Sequence, residues 1–375
     1  MKYSVIIFFF ITLSISILRA DNTGHSIDDS SNSQRQVIAA PFASANSDEG
    51  VVYGFSAGIA RYPSLMIYAT VSWSTKGYIY LGTRGERELK DWRLINDFYL
   101  TRTLRYIYLD DNRFSNHYAS GMVDQLHIDL AALQEVYQHF EMGPELIVDI
   151  ANGSDAKDAD DQPASLDSLP RFRFGSSILL GLRTRYRTTS GLRPLNGVII
   201  DGSVLLGRAG GDDLVCPKLD FASNLRIAMA RPLLPNTRLY LRGWWKYQAY
   251  TPPPNRNSLG GIITLRGQPH QRDYGRFALF GRSQFNYTFI HSWGLPLRIA
   301  HSIWDVFPLA KLDVETVVFF DIARMGDPDY GWRKTRQSYG AGLRFVIPPE
   351  MVVFFDIAQS PDGDLRFYLG TGETL

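Results

Sequence analysis

The sequence predicts an all-β fold: a transmembrane antiparallel β-barrel of about 16 strands with one loop folded inward. Three observations predict it. Long segments alternate apolar with polar or small residues at a period of two, which turns one face of each strand to lipid and the other to a lumen. Short turns and long polar loops separate these segments in rough alternation. Beyond residue 20 no apolar run is long enough to cross a bilayer as a helix, so a crossing must be made by strands.

Lys2 and the apolar run 5–18, closed by Arg19 and Ala20, read as a secretory signal peptide over 1–20. Residues 21–40, polar and rich in Ser, Asp and Asn, read as a disordered leader. The barrel is then 41–375. Its first strand is expected near Val51, with Val51, Tyr53, Phe55, Ala57 and Ile59 on one face and Gly54, Ser56 and Gly58 on the other. Segments 65–73, 78–87 and 93–108 continue the meander. Residues 126–140 fit a strand, but Leu126, Leu130, Leu133, Tyr137 and Phe140 also fit a helical stripe. Residues 145–150 return to strand. The stretch 152–170, with Asp155, Asp158, Asp160, Asp161 and Asp167, reads as a solvated loop.

Residues 171–187 are the most informative strand. Phe172, Phe174, Ile178, Leu180, Leu182 and Tyr186 share one face, and Arg171, Arg173, Arg183, Arg185 and Arg187 share the other. Such a pair of faces suits lipid against a watery lumen, or the solvated outer face of a sheet. Residues 237–250 repeat it, with Leu239, Leu241, Trp245 and Tyr247 opposing Arg238, Arg242, Lys246 and Gln248. In a barrel, Arg171, Arg173, Arg183, Arg185, Arg238 and Arg242 would give a basic lumen.

Composition agrees. Tyr 20, Phe 22 and Trp 7 would supply two aromatic girdles, or the aromatic pairs of a soluble sandwich. The single cysteine, Cys216, excludes an internal disulfide and a multi-cysteine metal site. A net charge of +1 offers no nucleic-acid footprint. No histidine falls in a Ser/His or paired-carboxylate pattern, so neither enzymatic activity nor a cofactor is expected. His127, two residues from Asp129, reads as wall decoration.

The last third of the chain carries short motifs in a fixed order. Leu259-Gly260-Gly261 leads into Leu265-Arg266-Gly267, and Gln284-Phe285-Asn286-Tyr287-Thr288 follows on a strand. Then come Val318-Phe319-Phe320-Asp321, Gly340-Ala341-Gly342-Leu343-Arg344, Phe354-Phe355-Asp356-Ile357-Ala358 and Phe367-Tyr368-Leu369-Gly370-Thr371-Gly372. Over 259–375 this order resembles the BamA/TamA superfamily of bacterial surface antigens, and 41–58 is more weakly similar to the family's barrel start. The resemblance implies the outer membrane of a Gram-negative bacterium. It also implies a loop folded into the lumen, with Arg266 paired to Asp321 and Gly267 allowing the tight turn. Three positions depart from the family pattern. Gln268 replaces an aromatic, Asn286 replaces a glutamate and so leaves more of the work to Asp321, and the terminal Leu375 replaces an aromatic.

The last strand is expected to close on the one near Val51. Gly54 and Gly58 on one side, and Gly370 and Gly372 on the other, would weaken that seam. No periplasmic transport-associated domain is read ahead of the barrel. The function the resemblance implies is insertion or translocation of polypeptide, or of lipid, by bilayer thinning and seam opening. Expected partners are outer-membrane lipid, lipopolysaccharide and polypeptide clients, with no nucleic acid and a monomeric barrel. A passive pore favouring anions and an anchor whose loops meet surface partners are the alternatives.

Overall fold

A computed structural model describes residues 36–46, 50–61, 65–108, 118–157, 162–163, 174–189, 196–211, 218–250, 257–259, 264–268, 273–294, 312–327, 331–332, 335–347, 351–360, 363 and 365–371. All belong to one compact unit, Arg35–Leu375. The expected signal peptide, the leader up to residue 35, Arg171, Phe172, Arg173, Gly372 and Leu375 lie outside the described residues.

The strands are β1 (Gln36–Asn46), β2 (Gly50–Arg61), β3 (Leu65–Ser74), β4 (Ile79–Leu89), β5 (Trp92–Tyr108), β6 (Tyr118–Tyr137) and β7 (Phe140–Lys157). Next come β8 (Phe174–Arg187), β9 (Gly197–Gly210), β10 (Lys218–Leu234), β11 (Thr237–Gln248), β12 (Asn257–Leu259) and β13 (Asp273–Gly275). The chain continues through β14 (Phe277–Trp293), β15 (Leu312–Asp327), β16 (Gly331–Trp332), β17 (Arg336–Ile347), β18 (Met351–Gln359) and β19 (Leu365–Thr371). Leaving out β12, β13 and β16, 16 strands form one antiparallel sheet in which chain neighbours pair. β19 then meets β1 through Ala45↔Leu369 and Asn46↔Tyr368, bringing the last strand back to the first. β12 and β13 form a separate hairpin inside the long link from β11 to β14.

Alternation sets the two faces. On β8, Ile178 and Leu180 are 59% and 60% exposed, while Leu179 is buried. Opposite the polar lumen face, an apolar outer band runs from strand to strand, as a lipid-facing barrel requires. Aromatics flank it at both ends. Tyr53, Trp73, Trp332 and Tyr339 are exposed at the long-loop end, and Trp92, Tyr137, Tyr287 and Trp293 at the short-turn end. Tyr53 and Trp73 stack at 6.2 Å, and Phe277 links Tyr247 at 4.5 Å to Trp332 at 5.5 Å.

Several expectations change. The first strand starts at Gln36, within the expected leader, and pairs along its whole length with β2. Its run of Ala39, Ala40, Pro41, Ala43 and Ser44 has weak intrinsic strand preference, so β2 as a pairing partner, not local composition, defines it. The strand near Val51 is therefore the second one. Residues 126–137 are strand, not helix. Leu130 faces out and Leu133 is fully buried, the opposite faces that a strand gives two residues an odd distance apart. The expected loop at 152–170 starts later, since β7 runs to Lys157 and Asp155 accepts a 2.6 Å hydrogen bond from Arg102 Nη2. A long connection not foreseen, 294–311, joins β14 to β15 at the short-turn end.

Candidate functional site

In the link between β11 and β14, Leu259 and residues 264–268 are buried within the lumen. Leu259 and Leu265 are buried against Trp244, Ala278, Phe280, Ala323 and Met325, an apolar patch on the inner faces of β11, β14 and β15. Burying each leucine contributes about 1.5–3 kcal/mol to docking of the loop. Between them and the wall, residues 265–268 make a tight turn in which Gln268 N–H donates to Leu265 O at 3.3 Å. The third residue, Gly267, has φ +84°, a conformation that favours glycine. A Cβ there would also lie 3.0 Å from the Gln359 carbonyl carbon and 3.1 Å from the Ser360 nitrogen. The Gly267 N–H donates to Tyr368 Oη on β19 at 3.0 Å.

This turn aims Arg266 into a charged cluster in the wall. Its Nε and Nη2 donate to the two Asp321 oxygens, each at 3.0 Å, and its own backbone N–H donates to the same carboxylate at 3.3 Å. Nη1 donates to Asp356 Oδ2 at 2.9 Å. The guanidinium lies 3.3 Å from the centroid of the Phe319 ring, a cation–π contact. Arg282, opposite Asp321 in the ladder, donates Nε and Nη2 to it at 2.8 and 3.0 Å, and Nη2 also reaches Thr264 O at 2.8 Å. Arg344 closes on Asp356 through Nη1 and Nη2. Gly342 leaves room for that carboxylate, because a Cβ on it would collide with Asp356 Oδ1. All five charged side chains are buried. Buried ions are tolerated only when paired and saturated with hydrogen bonds in this way.

The expected pair of Arg266 and Asp321 is thus present, in company that the sequence did not announce. Asp321 does not compensate alone for the missing glutamate: Asp356 is a second carboxylate, and Arg282 and Arg344 are further cations. Asn286 has a different task. Its Nδ2 donates to Glu315 Oε2 at 2.8 Å, and Thr288 Oγ1 donates to Glu315 Oε1 at 3.4 Å.

Gly267→Ala should strain the turn by about 1–2 kcal/mol and press a methyl on the β18 backbone. A larger single-channel conductance in planar bilayers than for the unaltered barrel is the expected result. Unchanged conductance would show that the loop does not obstruct the lumen.

The wall of β4–β9 carries a second network. Arg183 donates from Nε and Nη2 to Asp201, both at 2.8 Å, and from Nη1 to Glu145 at 3.1 Å and Asp129 at 3.2 Å. Arg185 shares Asp201 through Nε at 3.1 Å and Nη2 at 3.0 Å, and reaches Glu86 at 2.9 Å. Arg93 donates to Glu141 at 2.7 Å, and Arg187 lies 3.5 Å from Glu141. Arg238 stands 3.6 Å from Glu315. The basic lumen expected from these arginines is therefore corrected. Arg183, Arg185 and Arg238 face inward as expected but are neutralised by acids on other strands. Arg242 has no such partner among the described residues. Outward, Leu180, Leu239 and Trp245 stand on the lipid side. His127 pairs with Asp149 at 2.7 Å, not with Asp129.

The seam also differs from expectation. β19 pairs with β1, so Gly54 and Gly58 lie one strand away from it, opposite Phe42 and Ile38. Gly370 remains on the last strand, paired with Phe354 of β18. Among the described residues the seam has two residue pairs, against the eleven of the β1–β2 ladder.

No family model matches the chain, and no curated protein matches it. Solved structures do. BamA from Haemophilus ducreyi lacking POTRA domains 1-3 is similar at 13% identity and a TM-score of 0.55, over 96% of this chain and 78% of that one. CdiB from Escherichia coli is similar at 11% identity and a TM-score of 0.56, over 91% of this chain and 68% of that one. CdiB from Acinetobacter baumannii is similar at 14% and 0.53, over 90% of this chain and 59% of that one. The chain has the fold of the BamA and CdiB barrels. The BamA-like barrel, with its outward apolar band and aromatic girdles, points to the outer membrane of a Gram-negative bacterium.

Proposed function

We propose that this BamA-like barrel inserts or translocates polypeptide at the outer membrane by parting β1 from β19, without covalent chemistry. The observation that carries the proposal is the seam, which among the described residues has two pairs against the eleven of β1–β2. Every unpaired backbone group in lipid costs several kcal/mol, so a short ladder is the cheapest place to open a barrel and offer a free edge to an incoming strand. The locked loop supports the same reading, because a lumen filled by Arg266 and its leucines suits gated passage better than free diffusion.

The test uses a deletion strain whose outer-membrane proteins are profiled. Deletion should deplete a set of barrels or secreted proteins, and the unaltered gene should restore them. A variant joining β1 to β19 through A45C and L369C, on a C216S background, should fail to restore them when oxidised and succeed when reduced. These positions face each other in the ladder, within the span a disulfide bridges. An unchanged profile on deletion, or full restoration by the oxidised variant, would refute the proposal.

A further inference from the structure

Among the described residues, three cations on the lumen faces of β10 and β11, Arg226, Arg242 and Lys246, make no ion pair. Arg226 pairs in the ladder with Trp244. Arg242 and Lys246 stand two residues to either side of Trp244 and are therefore diagonal neighbours of Arg226, about 7–8 Å away across the strands. Arg242 also lies directly opposite Arg282 of β14. Like charges placed this way on one face repel. From β4, Arg84 adds a positive charge that both Arg226 and Arg242 feel. Asp97 stands opposite Arg84 in the ladder.

Elsewhere in this lumen arginines meet carboxylates, but here four of the nearby acids are engaged by other groups, Asp129 among them through Arg183. Asp201 is held by Arg183 and Arg185, Asp149 by His127 and Gln125, and Asp321 by Arg266 and Arg282. Among the described residues, no carboxylate oxygen comes within 4.0 Å of Arg226, Arg242 or Lys246. The Nε of Arg242 is buried without a hydrogen-bond partner. All three side chains are nevertheless partly open to the lumen. Lys246 Nζ leans over the Trp244 ring at 5.6 Å.

We infer that Arg226, Arg242 and Lys246 form a lumenal binding site for a soluble oxyanion of the phosphate class. Two guanidinium forks and one ammonium match a multiply charged tetrahedral group better than a single carboxylate. The site opens on the polar face of the wall, opposite the apolar band, so a soluble anion reaches it and a bilayer headgroup does not. The inference is independent of whether the barrel handles polypeptide.

The folded full-length protein in detergent micelles is titrated calorimetrically with inorganic pyrophosphate at low salt. Saturable binding is expected. R242Q/K246Q should weaken it by about tenfold or more, whereas R324Q, which removes a cation on the outer face, should leave it unchanged. The mobility difference between unheated and heated samples on a gel verifies folding of each variant. If R242Q/K246Q does not fold, R226Q is held to the same criterion. Absence of binding by the unaltered protein, equal binding by the folded lumen variant, or an equal loss in R324Q would overturn the assignment.

Discussion

Asp321→Ala destabilises the barrel by about 3–5 kcal/mol, the usual cost of removing one member of a buried ion cluster. The carboxylate accepts five hydrogen bonds, three from Arg266 and two from Arg282. Alanine would leave both guanidiniums facing each other with only Asp356 nearby, which already serves Arg344. Arg266→Ala should cost less, because Asp321 keeps Arg282 and Asp356 keeps Arg344. Both variants should raise conductance by freeing the loop. The order of stability, unaltered above Arg266→Ala above Asp321→Ala, is read from urea midpoints of the barrel in micelles. Equal midpoints for the two variants would mean that Arg282 does not depend on Asp321.

The second large effect belongs to the opposite wall. Asp201→Ala removes the carboxylate shared by Arg183 and Arg185. Arg183 keeps Asp129 and Glu145, and Arg185 keeps Glu86, so the loss should be nearer 3 kcal/mol than 5. The electrical consequence is more telling. Deleting one fixed negative charge from a lumen already carrying Arg84, Arg226 and Arg242 should shift the reversal potential under a salt gradient towards anion preference. A variant that loses stability without any such shift would show that ions do not pass along this wall.

Much of the architecture could be read before the structure. At 237–248 the alternation is regular enough to assign both faces, and Leu239, Trp245 and Arg242 lie where period two puts them. Arg266 and Asp321 were legible because the order of motifs around them is distinctive. The acids that neutralise Arg183 were not, since Asp129, Glu145 and Asp201 lie on β6, β7 and β9. Which strands become neighbours, and with what stagger, is set by pairing over the whole sheet and not by local pattern. The same reason hides Asp356 behind Arg266, 90 residues earlier in the chain. β1 shows in the sequence only as the weak likeness of 41–58 to the family's barrel start, because alanine and serine give a weak alternation, and its place at the seam does not show at all.

Tyr368 belongs to two structures at once. It is one of the two described β19 residues paired with β1, and its hydroxyl accepts the Gly267 N–H of the lumenal loop. Opening the ladder and releasing the loop are therefore thermodynamically linked. Whatever free energy a docked loop adds to the closed seam, a parted seam subtracts from the docked loop in equal measure. Under the proposed function, strands parted from the lipid side would loosen the plug without touching it, and a plug displaced from within would ease the strands apart.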